Sequence, residues 1–115
     1  MTVQKRRYDR IESLNLLSYS CINSKNEMVS QGMGRTLNVS EGGILLETHV
    51  PLEQDCIVSL AIGFEDVVTE VKGKIVYSQK GDNGRMRTGI EFIEPDEHAR
   101  SVIKQYVEAF SKKYQ

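Results

Sequence analysis

The sequence predicts an all-β domain with one C-terminal helix, arranged as a six-stranded antiparallel β-barrel. Six short segments rich in apolar and β-branched residues follow one another at close spacing, as in small antiparallel barrels. The last segment changes from a period of two to a period of 3.6, which is typical of an amphipathic helix. A closed barrel removes exposed strand edges and leaves its rim loops free for binding.

The strands are separated by residues that favour turns. In the first strand Leu17, Tyr19 and Cys21 alternate with serines, and a period of two suits a half-buried strand. Glycine and asparagine tolerate positive φ, so Gly-Asp-Asn-Gly at residues 81–84 predicts a hairpin between the last two strands. We expect the strands to cover residues 17–21, 28–37, 43–48, 56–62, 67–78 and 86–93.

The C-terminal segment predicts one helix that docks on the strands through a single apolar face. Pro95 is expected in its first turn, and Asp96 and Glu97 lie near the positive end of the helix dipole. The apolar stripe consists of Ala99, Val102, Ile103, Tyr106, Val107 and Phe110.

Length and charge limit the classes of protein to consider. The chain has 115 residues, which suits one domain, and its 15 basic and 16 acidic residues give a net charge of −1. This balance argues against a general nucleic-acid coat protein, whose field would be strongly positive. The longest uncharged stretch, residues 13–24, is too short for a membrane helix, which needs about 20 apolar residues. We therefore expect no membrane insertion.

Two further features favour the cytoplasm. The basic N-terminus leads into polar residues rather than an apolar core, so it does not resemble a secretory signal. Cys21 and Cys56 are far apart and lie among apolar residues, which predicts buried thiols in a reducing compartment rather than a disulfide framework or a metal knuckle.

The chain divides into a flexible basic arm, residues 1–12, and the barrel with its helix, residues 13–115. Within the arm Arg6 and Arg10 form an RxxxR element that also contains Arg7, and residues 1–10 carry a net charge of +3. Guanidinium groups match phosphate bidentately and also pair with guanine O6 and N7. The alternative interpretation is an arginine-rich tail that keeps the domain soluble.

A second polar motif falls between two predicted strands, at residues 38–43. Asn38 and Ser40 can donate and accept hydrogen bonds at close range. Gly42 and Gly43 allow backbone conformations that other residues avoid and let a ligand approach the main chain. The alternative is an ordinary turn whose side chains satisfy their own backbone.

Together the two motifs resemble those of the PilZ domain family. That family combines RxxxR near the N-terminus with (Asp/Asn)-x-Ser-x-x-Gly about thirty residues later, matched here by Arg6, Arg10, Asn38, Ser40 and Gly43. Residues 73–77 and 89–92 also look like two later strands of the family. The resemblance extends from about residue 5 to residue 110 and includes the closing helix.

The resemblance implies a bacterial cytoplasmic receptor for the second messenger cyclic di-GMP. In the family the arginines of the first motif bind phosphates and guanine edges, the Asn and Ser of the second contact guanine, and its Gly shapes the turn. These roles pass to Arg6 and Arg10, with Arg7 as a third basic contact, and to Asn38, Ser40 and Gly43. Gly42 is a further candidate beside them.

Two more candidates follow from the resemblance. Tyr77 stands where members often carry Trp, so it is a candidate for stacking on guanine, although it could equally be a core or rim aromatic. Lys5 precedes Arg6 at a position that influences whether one ligand or a stacked pair binds. We expect binding to order the arm and so to signal to a downstream protein partner, from a monomer or a ligand-dependent dimer.

The remaining classes are less well supported by the residues. His49 and His98 have no partner at a catalytic or metal-ligand spacing, so the sequence predicts no catalytic residue, no metal and no cofactor other than the ligand. A single-stranded nucleic-acid binder would use stacked aromatics, which make up only 7% of the chain, so we expect no DNA or RNA partner. A PilZ adaptor that acts by protein contact without ligand is the third alternative.

Overall fold

The computed structural model describes residues 16–64 and 66–114, and it confirms the predicted fold. Six strands form one closed barrel in the order β1-β2-β3-β6-β5-β4, and every neighbouring pair is antiparallel. The elements are β1 (Leu16–Ile22), β2 (Met28–Val39), β3 (Gly43–Thr48), β4 (Ile57–Phe64), β5 (Val67–Lys80), β6 (Met86–Phe92) and α1 (Glu97–Tyr114).

The alternating residues of the strands fill the barrel. Leu17, Tyr19 and Cys21 of β1 are buried, as their period of two predicts. In β4 the buried apolar positions are again two apart, at Val58, Leu60 and Ile62, while Ser59 between them is buried as a polar residue. Removing these apolar side chains from water is the main favourable contribution to folding, since each is worth about 1.5–3 kcal/mol when fully buried.

Helix α1 packs its apolar stripe against the barrel, as predicted. Ala99, Val102, Ile103, Tyr106 and Phe110 are all buried, whereas Val107 is only partly buried. The hydroxyl of Tyr106 lies 2.8 Å from that of Thr36 in β2. This buried hydrogen bond ties the helix to the interior of the barrel.

The predicted start of the helix was wrong by a few residues. Pro95 precedes α1 rather than lying in its first turn. Asp96 is the N-cap, because its Oδ1 accepts a hydrogen bond of 2.8 Å from the backbone N–H of Ala99. The short acidic side chain therefore determines where the helix begins, and Pro95 stands outside it.

Both cysteines are free and buried, as expected from their apolar surroundings. Cys21 is fully inaccessible and Cys56 is 2% exposed. Burial raises the pKa of each thiol above its usual value. The neutral thiols therefore act as small core residues.

A β-bulge in β5 changes which side chains face outwards. Val71 and Gly73 are buried, and Ile75 pairs with Ile90, so this part of the strand follows the expected alternation. The register shifts between Ile75 and Tyr77, leaving Val76 as the extra residue. From this point the odd-numbered positions face the outside of the barrel.

Candidate functional site

A row of four cross-strand neighbours runs over the outer wall of the barrel. Asn38 of β2 pairs with Leu45 of β3, Leu45 with Gly89 of β6, and Gly89 with Tyr77 of β5. Adjacent strands lie about 4.8 Å apart, so the two ends of the row are about 14 Å apart. Two candidates that are 39 positions apart in sequence thus share one surface.

Tyr77 lies across Gly89, and the absence of a side chain there makes this position possible. A Cβ atom on Gly89 would collide with Cε1 and Cδ1 of the Tyr77 ring. The ring is nevertheless 49% exposed, so it offers an aromatic surface to a ligand. Sequence reasoning left Tyr77 open between a core position and a binding position, and the structure places it on the outer wall.

The row forms the floor of an open cleft of about 290 Å³. Four of the sequence-predicted candidates line it, namely Asn38, Ser40, Gly43 and Tyr77. The other lining residues are Val39, Ile44, Leu45, Val76, Gly89 and Ile90. None of these described lining residues carries a charge, so the cleft is apolar with a polar edge.

The polar edge is the bend between β2 and β3, residues 40–42. The backbone N–H of Ser40 donates to the carbonyl of Gly43 at 2.9 Å. The Ser40 hydroxyl makes longer contacts, accepting from the Gly42 N–H at 3.3 Å and donating to the Gly43 carbonyl at 3.5 Å. Such long hydrogen bonds are weak, so the hydroxyl can exchange them for a ligand.

The side chain of Asn38 is partly engaged by the neighbouring backbone. Its Oδ1 accepts a hydrogen bond of 2.9 Å from the N–H of Val39, while the residue remains exposed. The alternative of an ordinary turn, in which the side chains hydrogen-bond their own backbone, therefore holds in part. The amide NH₂ of Asn38 would donate the hydrogen bond to an acceptor atom of a ligand.

The two glycines of the bend differ in what they provide, and neither has a positive φ. Among the described glycines only Gly84, in the β5–β6 hairpin, has a positive φ, at 83°. Gly43 is required for space, because a Cβ atom there would collide with the carbonyl oxygen of Ile90. Gly42 has open space around it and does not line the cleft.

The other candidates, Lys5, Arg6, Arg7 and Arg10, lie outside the described residues. The described chain begins in β1, where Leu16 pairs with Arg35, three residues before Asn38. Because β1 and β2 are antiparallel, the chain enters the barrel at the end where the bend lies. Sequence reasoning missed Leu45 and Val76, since only pairing across strands brings them to the cleft.

The described residues show no sign of a metal site or a membrane-spanning element. No group of three or more His, Cys, Asp or Glu side chains in residues 16–64 and 66–114 could hold a metal ion. Over the same ranges, no helix combines the length and hydrophobicity needed to cross a bilayer.

The closed six-stranded barrel, its C-terminal helix and its outer-wall cleft define a small β-barrel domain with one candidate ligand site. Residues 4–109 match the family model of the PilZ domain. The match covers most of the chain, and the protein belongs to the PilZ domain family.

Solved structures agree with this fold. The crystal structure of the PilZ domain of CeSA from a cellulose-synthesizing bacterium is similar, with a TM-score of 0.59 and 13% identity over 84% of this chain and 93% of that chain. K. pneumonia MrkH in its apo state is similar with a TM-score of 0.52 and 13% identity, over 84% of this chain and 47% of that chain. No match to a curated protein was found.

Proposed function

We propose that this PilZ domain is a receptor for cyclic di-GMP that binds the ligand in the outer-wall cleft and folds its N-terminal arm over it. Membership of the PilZ family supports the class of ligand. The observation that carries the proposal is the cross-strand row from Asn38 to Tyr77, which joins the second motif to an exposed aromatic ring.

The cleft supplies groups suited to a guanine base. Asn38 and Ser40 offer hydrogen-bond donors and acceptors at one edge, and Tyr77 offers a ring face at the other. Stacking of a base on an aromatic ring is worth about 1–3 kcal/mol and requires no particular edge of the base. Hydrogen bonds at the Asn38 edge would then select guanine.

The phosphates of the ligand need cations that the cleft lining lacks. Cyclic di-GMP carries two negative charges, and an unpaired charge is costly to remove from water. Arg6, Arg7 and Arg10 would supply the counter-charges, and Lys5, which precedes Arg6 in sequence, would be compatible with binding of a stacked ligand pair. Arg10 is six residues before Leu16, a distance of at most about 20 Å along an extended chain.

Closure of the arm would be the output of the receptor. Ordering residues 1–12 on the ligand costs conformational entropy, which the charge-assisted hydrogen bonds of the arginines offset. The ordered arm then presents a changed surface to a downstream protein partner in the cytoplasm, from a monomer or a ligand-dependent dimer.

Calorimetry with cyclic di-GMP tests the proposal. The wild-type protein should bind with a fitted stoichiometry of one or two ligands. Arg6→Ala and Arg10→Ala should each weaken binding about tenfold or more, since one charge-assisted hydrogen bond is worth about 1.5–3 kcal/mol. Lys104→Ala, on the exposed face of α1, is the matched control and should bind like wild type.

Three outcomes contradict the proposal. The absence of binding by the wild-type protein would favour a PilZ adaptor that acts without ligand. Tight binding of a single-stranded oligonucleotide with a steep salt dependence would instead favour a nucleic-acid binder. Wild-type affinity in both arginine variants would show that the arm does not contact the ligand.

A further inference from the structure

A second outward row lies beside the cleft and carries charge. Arg35 of β2 pairs with Glu47 of β3, Glu47 with Arg87 of β6, and Arg87 with Gln79 of β5. In β3, β6 and β5 the residues of this second row lie two positions from those of the cleft row, on the side of the β5–β6 hairpin. Two residues of a strand span about 7 Å, so the rows are neighbours.

Glu47 is the centre of this row and is covered by its neighbours. Its side chain is 3% exposed although it faces the outside of the barrel. Its Oε1 lies 3.5 Å from Nε of Arg35 and 3.5 Å from Nη1 of Arg85, and its Oε2 accepts a hydrogen bond of 3.2 Å from Asn83. One carboxylate thus holds two guanidinium groups that are themselves half-exposed.

The row, together with Arg85 of the β5–β6 hairpin, forms a cluster with more positive than negative charge. Arg35, Arg85 and Arg87 contribute three positive charges and Glu47 one negative charge, which leaves +2 in this cluster. Glu47 is in ion-pair contact with Arg35 and Arg85. Arg87 is exposed and has no ion pair among the described residues. Its Nε lies over Gly81 of the β5–β6 hairpin, and its backbone lies two positions from Gly89 in the cleft floor.

We propose that Arg87 forms a phosphate-binding subsite on the barrel wall beside the uncharged cleft, supported by the positive charges of Arg35 and Arg85, which Glu47 holds on the same wall. The inference rests on the proposed function and adds to it a basic contact that comes from rigid strands rather than from the arm. When a guanidinium on a strand binds, only its side chain has to be ordered, whereas the arm must order its backbone as well. The subsite therefore gives the ligand an electrostatic contact before the arm closes.

Glu47 sets the strength of this subsite. It fixes Arg35 and Arg85 against β3 and offsets part of the positive charge that an incoming phosphate meets. Replacing it with glutamine keeps the size of the side chain and an oxygen that can accept from Asn83, but removes the negative charge. The net charge of the cluster rises from +2 to +3, which should strengthen the attraction for anions.

The test compares Arg87→Gln with Lys104→Gln, which removes the same charge from the exposed face of α1. Binding of cyclic di-GMP and of inorganic pyrophosphate is measured at low and high salt, with the Arg87 Nε–Hε signal followed by NMR. Arg87→Gln should weaken both ligands about fivefold at low salt, the effect of one exposed charge pair. This difference should shrink at high salt, and Lys104→Gln should leave both affinities unchanged.

Glu47→Gln should change anion affinity in the opposite direction to Arg87→Gln. It should bind pyrophosphate about twofold to fivefold more tightly than wild type, although it is less stable, because the subsite gains net charge. A purely structural role for the cluster would weaken binding or leave it unchanged. Unchanged or weaker pyrophosphate binding by this variant would overturn the electrostatic role assigned to Glu47.

The outcomes separate the two proposals. If the wild-type protein binds cyclic di-GMP but Arg87→Gln matches Lys104→Gln for both ligands, the subsite is wrong and the proposed function stands. If pyrophosphate shifts the Arg87 signal but cyclic di-GMP does not bind, the proposed function fails and the subsite remains.

Discussion

The two turns at opposite ends of the β2–β3–β6–β5 wall are both polar and rich in glycine, yet they differ in how they are held together. Both turns close with a short backbone hydrogen bond, from the Gly81 N–H to the Arg85 carbonyl at 2.7 Å in the β5–β6 hairpin and from the Ser40 N–H to the Gly43 carbonyl at 2.9 Å in the β2–β3 bend. The difference lies in their side chains. Asn83 Oδ1 also accepts from the Arg85 N–H at 3.0 Å. In the β2–β3 bend the Ser40 hydroxyl makes contacts of only 3.3 and 3.5 Å.

This difference separates a structural turn from a candidate binding turn. The hairpin directs Asn83 onto Glu47, so its polar groups stabilise the wall. The bend keeps its hydroxyl weakly engaged at the edge of a cleft, where a ligand can replace the existing contacts. Composition alone does not distinguish the two turns, because both contain glycine beside short polar side chains.

The largest expected effect is the loss of stability in Gly43→Ala. The added Cβ would collide with the Ile90 carbonyl oxygen, and backbone atoms cannot move aside cheaply. We expect a loss of about 2–3 kcal/mol in the free energy of unfolding, measured by chemical denaturation. Gly42→Ala is the matched control, because open space surrounds that position, and it should change stability by less than about 0.5 kcal/mol. Equal losses in the two variants would contradict this explanation.

The next effect tests the aromatic end of the cleft. Tyr77→Ala should weaken cyclic di-GMP binding about tenfold, because it removes the ring on which a base would stack. Tyr77→Phe keeps the ring and should bind almost like wild type in the same calorimetric titration. If Tyr77→Phe weakens binding as much as Tyr77→Ala does, the hydroxyl rather than the ring face contacts the ligand.

Gly84→Ala should have a moderate effect on stability and none on binding. Nothing crowds a Cβ atom at this position, but its φ of 83° is unfavourable for alanine. The expected loss is about 1 kcal/mol, which thermal or chemical unfolding can detect. Unchanged affinity for cyclic di-GMP would support a structural role for the hairpin. A marked loss of affinity would show that the binding surface extends to the hairpin.

The smallest effect concerns the pH dependence of stability through Glu47. The hydrogen bond from Asn83 lowers the pKa of this carboxyl below its usual 4.5, and the arginines add to the effect. Its contribution is therefore present above pH 4.5 and is lost as the pH falls through the lowered value. Glu47→Gln should remove this acid-dependent part, worth under about 1 kcal/mol because the arginines are half-exposed. Denaturation curves from pH 3 to pH 7 that lie parallel for both proteins would contradict this assignment.

The strands and the helix were predictable because their signals are local. The alternation of Leu17, Tyr19 and Cys21 and the helical stripe from Ala99 to Phe110 report which side chains are buried. The outward position of Tyr77 was not predictable, since the extra residue Val76 reverses the alternation and no glycine or proline marks it. The cover over Glu47 was also missed, because it depends on side chains from three separate segments.

Periodicity alone therefore determined that this chain forms six strands and one helix, and the spacing of its polar motifs indicated the family. The tertiary structure decided which of these residues share a surface. Closing the barrel places Asn38 and Tyr77 on one row and sets Arg87 beside it. Strand pairing joins residues that are distant along the chain, and its register depends on bulges and turns whose effect appears only when neighbouring strands meet.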